Sequence, residues 1–169
     1  MVFAPAPLLT VTIEQQGDVP ELHLHPGGQG VWQTRMIAAL GVPVTMCVGL
    51  GGEVGDAVRK LLDDEDVTVR TVRRESGTGW YVHDRRDGER TEIAEHPGAP
   101  MVRHDIDELY TVTLTEGLRA PVSVLSGPAT RRWWTRTSTA GSPPTWAPTA
   151  ARWWPTCPGR TWRRCSTAA

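Results

Sequence analysis

From residue 8 to residue 128 the apolar positions follow two periods, about two residues and about 3.6, and the two take turns along the chain. Residues 8–13, LLTVTI, are β-branched and apolar, as a buried strand requires. QQGDVP supplies turn residues, and ELHLH alternates as a half-exposed strand does. After the glycine cluster PGGQG, the stretch VWQTRMIAALG carries apolar residues at 32, 36, 37 and 40, with Gly41 placed to end a helix. VPVTMCVGLGG predicts a buried strand running into a glycine turn, and EVGDAVRKLLDDE the helix after it. VTVRTV and TGWYVHDRRDGERTEIAE predict further strands, the latter folding back at Asp87-Gly88. RHDIDELYTVTLTEGL predicts a helix in its first part, and PVSVLSG a last buried strand ending in small residues.

Strands that alternate with helices across tight glycine turns predict an α/β fold with a largely parallel sheet. The hairpin strands are expected to form a smaller side sheet or lid. With 169 residues, the chain has room for one domain with a sizeable core, or for part of a larger one.

Charge changes this reading only near the end. Net charge is −1, which argues against a protein that binds polyanions over its whole surface. Every acidic residue lies at or before Glu116, whereas seven arginines follow Ala129. No apolar run approaches the roughly 20 residues of a spanning helix, and no basic region precedes the first apolar segment. The expectation is a soluble, cytoplasmic protein without a membrane partner. Cys47, Cys157 and Cys165 include no Cys-x-x-Cys pair and are expected to be free thiols rather than a zinc site. A single lysine, no asparagine and abundant Ala, Gly, Pro, Arg and Val match a GC-rich coding sequence.

The strongest local signal is HPGGQGVW, residues 25–32. A diglycine before a helix lets the backbone approach a ligand closely and leaves the first amides free for an anion. GLGGEVG, residues 49–55, gives G-x-G-x-x-x-G, one residue longer than the dinucleotide fingerprint. His23 and His25 share a strand face and could ligate a metal together, but a third ligand at a telling spacing is lacking, so a solvated face is expected. RRDGER is expected to be a charged hairpin tip, and RHDIDE a solvated helical start.

Taken in order, the motifs of residues 9–128 resemble those of the PfkB/ribokinase family of sugar kinases, in its 1-phosphofructokinase and tagatose-6-phosphate kinase branch. LTVTI resembles the family's first strand, and PGGQGVWQTRMIAALGVPVT the G-G-K-G-x-N signature before a helix ending in A-L-G-V. VGLGGEVGDAVRKLL is similar to the G-x-D-x-x-G segment, ERTEIAEHPGAP to the strand ending in N-E-P-G, and VSVLSGP to the strand ending in S-G. The resemblance implies a ribokinase-like three-layer α/β/α sheet with a small β lid, here truncated. It also implies transfer of the γ-phosphoryl group of ATP to a sugar or sugar-phosphate hydroxyl with Mg²⁺, and a homodimer through the lid in an intact relative.

By that resemblance the substrate-binding positions are Asp18, Gly27, Gly28, Gln29, Gly30, Trp32, Ser126 and Gly127. Gly27, Gly28, Gly30, Ser126 and Gly127 match the family's pattern; Asp18 stands where EQQGD is set against N-P-A-x-D. Gln29 replaces the motif lysine and Trp32 the asparagine, which removes a cation suited to a phosphosugar and trades an amide for an indole. The family's catalytic aspartate lies in a G-A-G-D motif, and nothing after residue 128 resembles it; Asp56, in GGEVGD, stands in the wrong half. ATP and Mg²⁺ are therefore expected for a full-length relative and not for this chain.

Residues 129–169 change character to Arg, Trp, Thr, Ser and Pro. Tryptophan has one codon, so reading the third base of each codon with the first two of the next forces Val from Trp133-Trp134 and Trp153-Trp154, Asp from Trp134-Thr135 and Ala from Trp154-Pro155. With G or C at ambiguous bases, that frame restores an aspartate-capped amphipathic helix, then a strand, a turn and another helix. The expected organisation is a sugar-kinase N-terminal part at 1–128 and an out-of-frame, disordered tail at 129–169. Two competing readings are a non-catalytic sugar-binding or regulatory protein and a basic-tail module binding nucleic acid. The latter is disfavoured by prolines at 143, 144, 148, 155 and 158, which interrupt any long helix.

Overall fold

The computed structural model describes residues 1–127 and, further along, the backbone of a two-residue strand at Trp154–Pro155. Two sheets divide the work. The larger is parallel, built on β1 (Val2–Ala4), β4 (Thr45–Leu50), β5 (Thr68–Arg73) and β8 (Val124–Leu125), in the order β5-β4-β1-β8-β9, with β9 the Trp154–Pro155 strand. The smaller is the lid: β2 (Leu8–Gln16), β3 (Val19–Gly27), β6 (Gly79–Asp84) and β7 (Thr91–His96), in the order β3-β2-β6-β7. Both lid hairpins are antiparallel, and β2 runs parallel to β6 between them.

The helices α1 (Gln29–Ala39) and α2 (Gly52–Asp63) cover one face of the main sheet, where Val31, Val58 and Leu62 pack with Val2, Met46 and Val48. On the other face α3 (Arg103–Arg119) brings Leu109 against Cys47, Val72 and Met101. Helices on both faces explain why β4 is apolar along its length: five of its six residues are buried.

The expected α/β arrangement with a smaller side sheet is present, with three differences from the reading of the sequence. LLTVTI is not the first strand of the main sheet; it is the start of lid strand β2. The main sheet begins instead with Val2–Ala4, where Val2 is 0% exposed, and a three-residue strand is too short to show a period. Helix α3 continues through the β-branched TVTLT stretch, because Thr111 and Thr115 donate to the carbonyls of Asp107 and Thr111 while Thr113 and Leu109 are buried. Of the apolar α1 positions 32, 36, 37 and 40, only Ile37 packs on the core. The buried residues of the helix are Gly30, Val31 and Thr34, whereas Trp32, Met36 and Leu40 are 58%, 68% and 79% exposed. Asp87-Gly88 does turn the β6–β7 hairpin, with Gly88 at φ 85°. The tail readings fall, apart from β9, outside the described residues.

Candidate functional site

Parallel strands present their ligand sites at their C-terminal ends, and here β1, β4 and β8 end at Ala4, Leu50 and Leu125. Lid strand β3 comes back to this edge at Gly27, and α1 leaves from it. Gly28, between them, has φ 104°, and a Cβ there would stand 3.3 Å from the Ala6 carbonyl oxygen and 3.5 Å from Pro7 Cα. Only glycine suits both conditions. Gly27 is held as closely, 2.5 Å from Thr10 Oγ1 by the same measure. The loop is thus wedged against the link between the main sheet and the lid. No side chain caps α1 and no acid sits in its first turn, so its positive end is left open beside that loop.

Gly30 lets α1 lie on β1: a Cβ would stand 3.0 Å from Ala4 Cα and 3.1 Å from Ser126 Oγ. Ser126 is 4% exposed; its hydroxyl bonds to Gln33 Oε1 and its amide donates to Phe3 O at 2.9 Å. Gly127 follows in open space. Gln29 is exposed at the loop. Trp32 is exposed in the same first turn, with the Arg35 guanidinium 5.0 Å from its ring centroid.

Seven of the eight sequence-derived positions therefore gather at one edge. Asp18 does not. It lies exposed at the tip of the β2–β3 hairpin, whose register pairs Gln16 with Val19 and Leu8 with Gly27. The tip is roughly 27 Å from Gly27 at about 3.4 Å per residue. The residues that actually follow the first strand are Pro5, Ala6 and Pro7, which carry no carboxylate.

The second glycine turn does something else. Gly51 donates its amide to Thr78 Oγ1 at 2.9 Å and accepts from the Thr78 amide at 2.9 Å, and a Cβ on Gly51 would fall on the carbonyls of Arg74 and Ser76. The turn receives the 74–78 loop, not a dinucleotide. At that loop the sequence reading missed two buried charged side chains. Arg74 is 2% exposed and Asp105 1%, so RHDIDE is not wholly solvated. Burial lowers the Arg74 pKa to about 10, against the opposing charge of Asp105. Arg74 Nη2 donates to Gly77 O at 2.7 Å, and Asp105 Oδ2 accepts from the Glu75 amide at 3.2 Å. No sequence pattern signals either one, because an arginine after a strand and an aspartate at a helix start are ordinary surface residues.

On the lid, the His23 and His25 rings stack at 6.1 Å. Among the described residues no group of three or more His, Cys, Asp or Glu is placed to hold a metal ion. Cys47 is a buried free thiol, its pKa raised to about 11 chiefly by burial. No helix of the described residues is long and apolar enough to cross a membrane.

A glycine loop held between a lid and the C-terminal edge of a parallel sheet stands where open α/β domains place their ligand sites. Residues 8–112 match the family model described as pfkB family carbohydrate kinase. The chain belongs to the PfkB family of carbohydrate kinases. Among solved structures it is similar to the tetrameric inhibited form of phosphofructokinase-2 from Escherichia coli, with 28% identity and a TM-score of 0.60 over 75% of this chain and 44% of that one. The same enzyme in complex with fructose-6-phosphate matches with a TM-score of 0.56 over the same shares. A Thermotoga maritima protein described as a possible 1-phosphofructokinase shares the fold at 21% identity and a TM-score of 0.62, over 75% of this chain and 43% of that one. The chain spans less than half the length of these structures.

Proposed function

We propose that this chain carries the sugar-acceptor half of a 1-phosphofructokinase-like phosphohexose kinase, and that by itself it transfers no phosphoryl group. The observation behind this reading is the Gly27–Gly28 loop, fixed by its φ of 104° at Gly28 between the lid and the open end of α1. Phosphoryl transfer needs an acceptor held in line, neutralisation of the phosphate oxygens and a carboxylate to take the hydroxyl proton. The loop and lid serve the first need, for a sugar or sugar phosphate. No G-A-G-D motif in this sequence supplies the proton acceptor, and Gln29, in place of the motif lysine, supplies no cation. ATP and Mg²⁺ belong to a complete enzyme of the family rather than to this chain, which in the cell is cytoplasmic. In that complete enzyme the lids of two copies pair, covering Leu22, Leu24 and Ile93, which are 62%, 44% and 54% exposed here.

Two measurements test the reading. Calorimetric titration with fructose 1-phosphate, fructose 6-phosphate and tagatose 6-phosphate is expected to show saturable binding that Gly28→Val abolishes. A coupled assay of the 169-residue chain with ATP, Mg²⁺ and the same sugars is expected to show no turnover. ATP-dependent phosphorylation by this chain would overturn the inactivity, and absence of sugar binding would overturn the acceptor role. The non-catalytic sugar-binding alternative is favoured by Gln29 and Trp32, and predicts binding of an unphosphorylated sugar in preference to the phosphosugars.

A further inference from the structure

Trp32 is the largest side chain at the head of α1, and contacts on both sides of it fix its place. Its amide donates to the Gly28 carbonyl at 3.2 Å, which sets it one turn from the glycine loop. Side chains of a helix lean back towards its N-terminus, so the indole covers the turn of Gly28 and Gln29. On its other side the guanidinium carbon of Arg35 stands 5.0 Å from the ring centroid. Arg35 is the only charged residue of α1, and its Nε and Nη2 both donate to Glu65 Oε1, the former at 2.9 Å.

Glu65 lies just past the end of α2, so Arg35 marks the flank of α1 that faces α2. Trp32, about 60° around the helix from Arg35, leans to the same flank. The lid joins the main sheet on that side: β2 and β3 both pass beside α2, and Leu9 of β2 packs on the core that α1 and α2 share. The indole thus stands where the base of the lid, the glycine loop and the flank of α1 converge. The side chains of Arg35 and Glu65 are 27% and 20% exposed, and a pair so far withdrawn from water is screened less than a surface pair. Trp32 keeps 58% of its surface exposed. One face of the ring is covered by a guanidinium that is itself anchored, and the other face is open.

We infer that Trp32 is a stacking platform for the ring of the sugar, and that Arg35 and Glu65 are positioning residues that hold the indole in place before the sugar arrives. The inference rests on the acceptor-binding reading of the Gly27–Gly28 loop. A sugar ring gathers C–H bonds on one face, and an indole receives such a face while its rim stays wet. An indole already held in its bound orientation loses less freedom on binding. The charge of Arg35 is committed to Glu65, so selection at this position is by the C–H face of the ring and not by a phosphate charge.

Calorimetric titration of the 169-residue chain with fructose, fructose 1-phosphate, fructose 6-phosphate and tagatose 6-phosphate sets the reference affinities. Trp32→Leu is expected to weaken binding of the tightest of these at least about tenfold, and Trp32→Phe to retain most of it. Arg35→Lys keeps the charge without the planar stack, and Glu65→Gln keeps the shape without the anchoring charge; each is expected to weaken binding about two- to fivefold. In the Trp32→Leu background neither is expected to weaken it further, whereas a merely structural role would persist there. With fluorinated tryptophan incorporated, the fluorine resonance that Trp32→Phe removes is expected to shift as the sugar is added. Sugar binding that Trp32→Leu leaves unchanged overturns the platform and spares the acceptor role of the loop, whereas absence of sugar binding by the wild-type chain overturns both. A Trp32 resonance unmoved by saturating sugar overturns the platform even if Trp32→Leu fails to fold. A loss in Glu65→Gln that persists in the Trp32→Leu background overturns the positioning role.

Discussion

Asp105 sits at the start of α3 with 1% of its surface exposed, and its charge opposes the burial of Arg74, itself 2% exposed beneath the loop that leads into lid strand β6. Asp105→Ala removes the carboxylate and the acceptor of the Glu75 amide, while the guanidinium keeps its bond to Gly77 O. Leaving the buried Glu75 amide without its acceptor costs about 1–3 kcal/mol, and loss of the carboxylate's charge beside the buried guanidinium argues for the upper half of that range, about 2 kcal/mol. In a domain of this size that lowers the melting temperature by about 5–10 °C. Urea denaturation followed by far-UV circular dichroism at pH 7 measures it. Asp105→Asn keeps an acceptor for the Glu75 amide without the charge, so it is expected to fall between wild type and Asp105→Ala. Arg74→Met combined with Asp105→Ala is expected to recover part of the loss, since no buried charge then remains. A loss below about 0.5 kcal/mol for Asp105→Ala would refute the reasoning, because that is the range of surface substitutions.

Gly30→Ala places a Cβ against Ala4 and Ser126 and is expected to cost about 1–3 kcal/mol by forcing α1 off β1. Gly127→Ala, with nothing among the described residues within 4 Å, is expected to change stability by less than about 0.5 kcal/mol, and equal thermal shifts for the two would sink the distinction. His83, 6% exposed, has its pKa lowered by burial and by Arg90, so the folded lid favours the neutral ring. Its contribution to stability is complete above the ordinary imidazole value of about 6.5 and is lost as pH falls below it, because the unfolded chain then binds the proton more readily. His83→Gln is expected to flatten that acid limb in denaturation curves taken from neutral to mildly acidic pH; an unchanged slope would count against it. Cys47, 0% exposed with a pKa of about 11, is expected to resist iodoacetamide at pH 8 until the chain is denatured, as peptide mapping would show.

Residue by residue, the features legible in sequence were those set by neighbours a few positions away. The two-residue alternation of ELHLH, the Asp87-Gly88 turn and the diglycine before α1 each depend on local backbone geometry, and each is found in place. The alternation of strand and helix was enough for an α/β fold with a lid. Which strand belonged to which sheet was not legible. Val2–Ala4 is a main-sheet strand only because β4 and β8, from distant parts of the chain, flank it in parallel. LLTVTI has the apolar character of a central strand, yet it pairs with β3 and β6 in the lid.

The same limit governs the site and the helix beside it. Sequence placed the glycine loop correctly at the head of α1, because a φ of 104° demands glycine wherever it occurs. It could not place Asp18, whose distance from that loop depends on hairpin register, nor the burial of Arg74 and Asp105, which follows only from the packing of α3 and the 74–78 loop. In α1 the apolar positions 32, 36, 37 and 40 indicated a helix, and the helix is there, though only Ile37 of the four packs on the core. Periodicity shows that apolar positions seek a partner but not which partner, so only the packing of Val31 and Thr34 against the sheet showed that Trp32, Met36 and Leu40 face away from this core.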